Sequence, residues 1–390
     1  NLPKPASHVR AELGIDRLIE NSEETGDDAV IANIKALTSD NNYRPFLDAL
    51  FGNSHFLSQC AITDPVFFFE LIMAGPEASF KKIEHELTRK PENLAEFDVM
   101  QFLRINRKRA ALTIAVADIA DLWTGPEVTQ ALSRFSDLGV QYAINYLLQN
   151  MAAKNFLKLP NKNNPGESSG LIVLGMGKLG GHELNYSSDI DLIIFFDPEV
   201  IETEEPDNLA KGFIRLARDL VKILSERTAD GYVFRTDLRL RPDPGSTPPA
   251  ISVLAAETYY ESIGQNWERA AMIKARPIAG DIKAGYDFLE RLRPFIWRKY
   301  LDFATIQDVH SIKRQITAHR GGAKIAVEGH NVKLGRGGIR EVEFFAQTQQ
   351  LIWGGRLPEL RTASTCDSLN GLAAAGQISQ ETADELIKSY

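Results

Sequence analysis

Residues 175 to 192 read GMGKLGGHELNYSSDIDL, and the chemistry of the chain hinges on how this run is parsed. Leu171 to Leu174 before it and Ile190 to Phe196 at its end are short apolar runs with β-branched residues, both expected as buried strands. Gly175-Met176-Gly177-Lys178-Leu179-Gly180 matches the G-x-G-x-x-G fingerprint of dinucleotide sites. That fingerprint requires a helix directly after the loop and an acidic residue at the end of the next strand, about 20 residues on. Here His182 to Ser188 (HELNYSS) is rich in polar turn formers, and Asp189-Ile190-Asp191 already opens the next strand. A crossover helix has no room, which disfavours a NAD-dependent oxidoreductase. Two uses of the loop stay open: a tight turn without a ligand, or a close approach of backbone N–H groups, at Gly180 and Gly181, to phosphate oxygens.

Side chains alternate along a strand, so Asp189 and Asp191 are expected to project together. Two carboxylates forced close repel and lose hydration unless a cation compensates. Mg²⁺, with Mn²⁺ as a substitute, suits a few hard oxygens shared with water and phosphate. Asp237, within Phe234 to Arg241 (FRTDLRLR), would complete a three-carboxylate cluster from a neighbouring strand. Two metals held there would serve in-line displacement at phosphorus. With strict alternation Arg235 and Arg239 share the face of Asp237, where their guanidinium groups suit phosphate oxygens. Singly, each Asp also fits a turn or a solvated strand edge, and each Arg a surface ion pair.

Around this centre the chain of 390 residues is long enough for two or three units. Residues 1 to 165 are expected as a helical N-terminal domain, with Leu112, Val116, Ile119 and Trp123 on one face and Val128, Leu132 and Phe135 on another. Asp64-Pro65, Gly75-Pro76 and Gly125-Pro126 mark its helix boundaries. Leu159 to Gly170 (LPNKNNPGESSG) reads as irregular. Residues 166 to 285 are expected as the catalytic core, with a helix over Asp207 to Glu226 and a third strand over Tyr232 to Leu240. Helical patterns return at Glu257 to Ile273, Asp308 to Ala318 and Glu341 to Ile352, so 286 to 390 is expected as a helical C-terminal region, cut short because residues 386 to 390 carry no stop signal. The fold class is therefore α+β, a small mixed sheet with helices inside a largely helical chain.

The 44 Lys and Arg against 52 Asp and Glu give a net charge of -8, which speaks against a broad nucleic-acid surface. Cys60 and Cys366 have neither metal-site spacing nor a disulfide framework, so a reducing cytoplasm is expected. Apolar stretches such as Val66 to Met73 are far shorter than the ~20 residues of a bilayer span, so no membrane partner is expected. No signal peptide is visible in a chain starting at Asn1.

A Gly-Gly loop, a D-x-D strand and a distant third carboxylate together resemble the nucleotidyltransferase superfamily of DNA polymerase beta. More closely, residues 175 to 192 resemble the signature of the bifunctional glutamine synthetase adenylyltransferase and adenylyl-removing enzymes. The resemblance runs through Asp237 to Pro242 (DLRLRP), Asn266 to Arg276 (NWERAAMIKAR) and Lys333 to Phe344 (KLGRGGIREVEF), about residues 170 to 350, with Phe51 to Ser54 compatible but less diagnostic. It implies a polymerase-beta-like core with Asp189, Asp191 and Asp237 as catalytic metal ligands. It also implies nucleotide or phosphate contacts from Lys178, Gly180, Gly181, Ser188, Arg235, Arg239, Lys274, Arg276, Arg336, Arg340 and Glu343. Gly337-Gly338 marks a helix start that suits either an anion or a plain turn, and Glu341 and Glu343, two apart on that helix, must diverge.

That family has two related halves, one removing AMP from a tyrosine of glutamine synthetase and one attaching it. SSDIDL rather than GSDLDL, WERAAMIKAR rather than WEHQALVRAR, and GGIREVEF rather than GGITDIEF resemble the removing half. The resemblance thus implies Mg²⁺-dependent phosphorolysis of adenylylated glutamine synthetase by orthophosphate, with ADP released and the PII signalling protein as regulatory partner. The alternative is the transferring half, which uses ATP.

Overall fold

The computed structural model describes residues 2–89, 91, 94–299, 331–333 and 335–390; the helix expected over Asp308 to Ala318 lies outside the described residues. The chain divides into two compact units, each built from separate segments: Asn1–Tyr146, Leu184–Ser188 and Val221–Arg235 form one, and Leu147–Glu183, Asp189–Leu220 and Thr236–Tyr390 the other.

Helical periodicity is realised from His8–Glu24 to the long helices Glu96–Ile119 and Gly125–Ala153, the last of which leaves the first unit after Tyr146; Trp123, expected on the face of Leu112, Val116 and Ile119, falls beyond the end of its helix at Ile119. Asp64 caps Pro65–Ala74 by accepting from Phe67 N at 3.2 Å, and Gly75, at φ 84°, separates that helix from Pro76–Thr88. One buried guanidinium binds the later segment to the helices. Arg104 is fully buried and donates to the carbonyls of Met100 (2.8 Å), Ile223 (3.1 Å), Gly231 (2.8 Å) and Glu226. A buried charge is tolerated only when its donors are met in this way. The segment 184–188 is fixed by Leu184 N to Ser133 Oγ at 3.1 Å and Tyr186 Oη to Asp118 at 3.0 Å. No single helix among the described residues is long and apolar enough to cross a membrane; the pair His55–Thr63 and Pro65–Ala74, apolar enough jointly, turns through 100° at Asp64 and buries Phe67, Phe68 and Leu71.

The second unit carries a mixed five-stranded sheet: β1 (Leu171–Gly175), β2 (Ile190–Phe196), β3 (Thr236–Asp237), β4 (Ala250–Ser252) and β5 (Arg276–Gly280). Its order is β3-β2-β1-β5, with β4 also pairing β2. β1 runs antiparallel to β2, register Leu171↔Phe196 to Gly175↔Leu192, and a Rossmann βαβ crossover, which demands parallel neighbours, is thereby excluded. Between them stands only the single turn Gly177–Gly180. The sheet buries Ile172, Leu174, Ile193 and Phe195 against Tyr260, Phe288 and Phe295, while Phe196 stacks on Phe213 of the helix Leu209–Ser225.

Two expectations need correction. The strand expected over Tyr232 to Leu240 is reduced to Thr236–Asp237, because the backbone donors around it go elsewhere: Val233 and Phe234 N–H to Leu224 O, and Arg239 N–H to the Asp237 side chain. β4 and β5 were not expected. β4 has only three residues, and β5 contains Pro277, which an edge strand tolerates.

Candidate active site

The carboxylates meet where β2 begins. Asp189 is the exposed residue before the strand, and Asp191 within it pairs in parallel register with Asp237 of β3. Facing residues of paired strands share a face of the sheet, so a carboxylate is placed beside a carboxylate. Burial first, then Asp237 and Asp189, push the Asp191 carboxyl up to about 6, while Arg239 and Arg340 pull it down. Asp237 lies below the usual carboxylate range because Arg239 hydrogen-bonds it: Nε to Oδ2 at 2.8 Å, Nη2 to Oδ2 at 2.5 Å, and backbone N to Oδ1 at 2.8 Å. Gly177 completes this end. It sits at φ 54°, and a Cβ there would stand 3.2 Å from Asp191 Oδ2, so the loop backbone approaches the carboxylate closely.

Among the described residues no three His, Cys, Asp or Glu side chains already form a closed metal cage, since Asp237 is turned onto Arg239. The donor chemistry nevertheless fits a hard divalent cation. Three carboxylates that repel, one half-buried within β2 and one held by an 82% exposed arginine, are an arrangement that such a cation relieves.

A second cluster gathers residues that the sequence assigned to phosphate. Lys274, 3% exposed, donates to Glu183 Oε2 at 2.5 Å and Thr365 Oγ1 at 2.9 Å, with Glu343 Oε1 at 3.4 Å. Lys178 lies 3.4 Å from Glu343 and donates to Tyr390 Oη at 3.0 Å; that hydroxyl in turn contacts Glu183 and Glu343 at 2.9 and 3.0 Å. Lys178, Lys274 and Glu343 are therefore committed to one another in a buried ion network. Glu183, Thr365 and Tyr390 were missed: Glu183 stands in the turn-like HELNYSS, and its partners lie 91 to 207 residues away, beyond any local signal.

The remaining expected residues divide. Gly180 and Gly181 do not offer their N–H groups to phosphate as expected, because these close the turn onto Met176 O and Gly177 O, both at 3.1 Å. Gly180 is required for another reason, since a Cβ there would stand 1.6 Å from Lys274 O. Arg276 caps the same turn, donating to Leu179 O at 3.0 Å and Gly180 O at 3.3 Å. Ser188 and Arg235 belong to the first unit, where Arg235 donates to Ser187 O and not to Asp237. Arg241 ties its own loop by donating to the carbonyls of Leu238, Pro244 and Thr247. Arg336 and Arg340 are exposed, and Gly338 caps the helix Ile339–Trp353 as expected. Glu341 there turns back to Gly337 N at 2.9 Å while Glu343 faces the lysines, so the two diverge.

Comparison with known proteins identifies the family. The family model described as glutamate-ammonia ligase adenylyltransferase matches residues 46–291, and that of GlnD PII-uridylyltransferase matches residues 310–390. A relative from Agrobacterium fabrum is 59% identical over 76% of this chain and 30% of its own length. One from Rhizobium meliloti is 49% identical over 99% of this chain and 39% of its own, and one from Rhodopseudomonas palustris is 51% identical over 84% and 33%. Each is named a bifunctional glutamine synthetase adenylyltransferase/adenylyl-removing enzyme, and the chain spans about a third of their length. A paired-carboxylate strand behind a glycine turn and a family match over residues 46–291 lead to one conclusion: the chain belongs to the glutamate-ammonia ligase adenylyltransferase family.

Proposed function

We propose that this chain removes AMP from an adenylylated tyrosine of glutamine synthetase by phosphorolysis, with Asp189, Asp191 and Asp237 holding Mg²⁺, or Mn²⁺ in its place. The observation that carries the reading is the register Asp191↔Asp237 beside Asp189, which gathers three carboxylates around one strand end. In the reaction an orthophosphate oxygen forms a bond to the α-phosphorus of the AMP-tyrosine ester, the bond from phosphorus to the phenolic oxygen breaks, and ADP leaves. Tyrosine departs as a phenolate of reference pKa about 10 and then takes a proton. When bound, the cation supplies Lewis-acid stabilisation of the charge that develops on these oxygens.

The chain's own residues orient and neutralise. Orthophosphate must approach an anionic diester, so cations are needed to offset repulsion and fix its direction. Arg239 and Arg340, whose charges already act on Asp191, are the side chains suited to this; Lys274, closed within its ion network, is not. The removing half is favoured over the transferring half by SSDIDL, WERAAMIKAR and GGIREVEF. With that half we propose the PII signalling protein as regulatory partner, no role for nucleic acid, and a cytoplasmic setting consistent with the two free cysteines.

The test incubates the chain and Mg²⁺ with adenylylated glutamine synthetase, with and without orthophosphate, and then with unmodified synthetase and ATP. Phosphate-dependent release of ADP is expected. AMP released at a rate independent of phosphate would overturn phosphorolysis, and turnover only of the unmodified synthetase with ATP would assign the transferring half.

A further inference from the structure

The first unit contains a cleft of about 850 Å³ that the proposed reaction does not use. This volume falls in the range of small-molecule sites. Its wall is largely apolar, with Phe56, Phe135 and Phe234 among its lining, and three arginines gather on one aromatic ring beside it. The Arg107 guanidinium lies 4.8 Å from the centre of the Phe56 ring and 5.3 Å from that of Tyr232, and Arg227 lies over the same Tyr232 ring at 5.7 Å. Arg235 Nη1 donates to Tyr232 Oη at 3.4 Å.

Arg107 is half-buried, yet its single hydrogen bond among the described residues is from Nε to Val233 O at 3.1 Å. Its two terminal nitrogens remain unbonded, and none of the three arginines has an ion pair among the described residues. The neighbours on the same helix differ: Lys108 pairs with Asp230 at 3.2 Å and Arg109 with Asp64 at 2.8 Å. A half-buried guanidinium that shares one tyrosine with Arg227 and Arg235, its fork unfilled and open to the cleft, is a ready seat for an anion. Flat apolar walls beside it favour an anion that carries a ring.

We propose that this cleft binds an aromatic phosphate, with the phosphate at Arg107 and Arg227 and the ring on the phenylalanine wall. The ligand is a free nucleotide or an aromatic side chain carrying a phosphate, and its binding does not depend on the carboxylates of β2 and β3.

The test is titration calorimetry on the whole chain in EDTA, with AMP, O-phosphotyrosine, adenosine and inorganic phosphate as probes. AMP or O-phosphotyrosine binds, the tighter of the two naming the source, and adenosine and phosphate alone bind at least tenfold more weakly. Arg107→Gln weakens the tighter probe at least tenfold, whereas Asp191→Asn leaves it unchanged. Should Arg107→Gln not fold, the exposed Arg227→Gln is read instead, with at least threefold weakening expected. The proposal is overturned if adenosine or phosphate binds as well as the aromatic phosphates, if neither aromatic phosphate binds at millimolar concentration, if the folded arginine variant binds unchanged, or if Asp191→Asn abolishes binding.

Discussion

Replacing Lys274 by Met keeps nearly the same volume and removes one charge from the most enclosed ion network among the described residues. Lys274 is 3% exposed, while Glu183 and Glu343 are 13% and 15% exposed. Without the ammonium the two carboxylates retain Lys178, 3.4 Å from Glu343, with the hydroxyls of Thr365 and Tyr390 and the Thr365 backbone N–H. Breaking a buried pair by removing one partner costs about 3 to 5 kcal/mol, mostly because a charge is left uncompensated. Urea unfolding at pH 7.5 should show a loss of this size, and Lys274→Met with Glu183→Gln should recover part of it. The pH dependence has a definite sign. Burial raises the Glu343 carboxyl, but Lys274 and Lys178 outweigh it and hold the group below its ordinary value. A carboxylate depressed in this way contributes stability that is present above its unfolded pKa of about 4.3 and is lost as pH falls through its folded value. The variant lacks most of that contribution, so the difference between the two proteins should hold from pH 7 down to about 4.3 and narrow as pH falls further through the folded value. A loss below about 1 kcal/mol at pH 7.5, or a difference that widens on acidification, would refute the account.

Three further outcomes are expected. Asp191→Asn should abolish turnover while the metal-free melting temperature holds or rises, because it removes a proposed ligand and a source of repulsion together; near-normal turnover would end the metal-site assignment. Gly180→Ala should cost about 3 kcal/mol, since the new Cβ meets the backbone oxygens of Lys274 and Gly175 at 1.6 and 2.7 Å, and equilibrium denaturation reads the loss directly. Arg239→Gln should raise KM for orthophosphate roughly tenfold or more, the scale of one charge-assisted contact, with little effect on KM for the adenylylated protein; equal effects on both would give Arg239 a merely structural role.

Much of this was legible in the chain because the signals were local. Strand alternation singled out Asp191 with its neighbour Asp189, which stands just before β2, and the polar run His182 to Ser188 ruled out a crossover helix before the antiparallel pairing of β1 and β2 did so. Proline and capping residues placed the helix breaks at 64–65 and 75–76. What escaped was non-local. The resemblance assigned Lys178 and Lys274 to phosphate, yet their counter-ions come from Glu183 and Glu343, and the distance between these partners in sequence exceeds any periodic window. Gly180 was expected at a phosphate because glycine permits close approach; the approach is real, but the neighbour is the carbonyl of Lys274. β3 was overestimated because side-chain propensity does not reveal that Leu224 takes the N–H groups of Val233 and Phe234.

The edge of β2 that faces away from β1 is shared by two short partners. Ile190 and Asp191 pair with β3, Ile194 to Phe196 pair with β4, and Leu192 and Ile193 belong to neither. The aromatic core beneath Phe195 is therefore anchored through β4, whereas the spacing of Asp237 from Asp191 rests on two rungs of ladder. Such a leaf can lift from a fixed frame without melting it, as the least protected parts of a fold do. Whatever grips the oxygens of Asp189, Asp191 and Asp237 together also fastens that leaf, so occupancy and local order become a single equilibrium. Amide exchange at Asp237 and Leu238 should slow on occupancy while exchange at Ile251 stays constant, a readout of the site that needs no turnover at all.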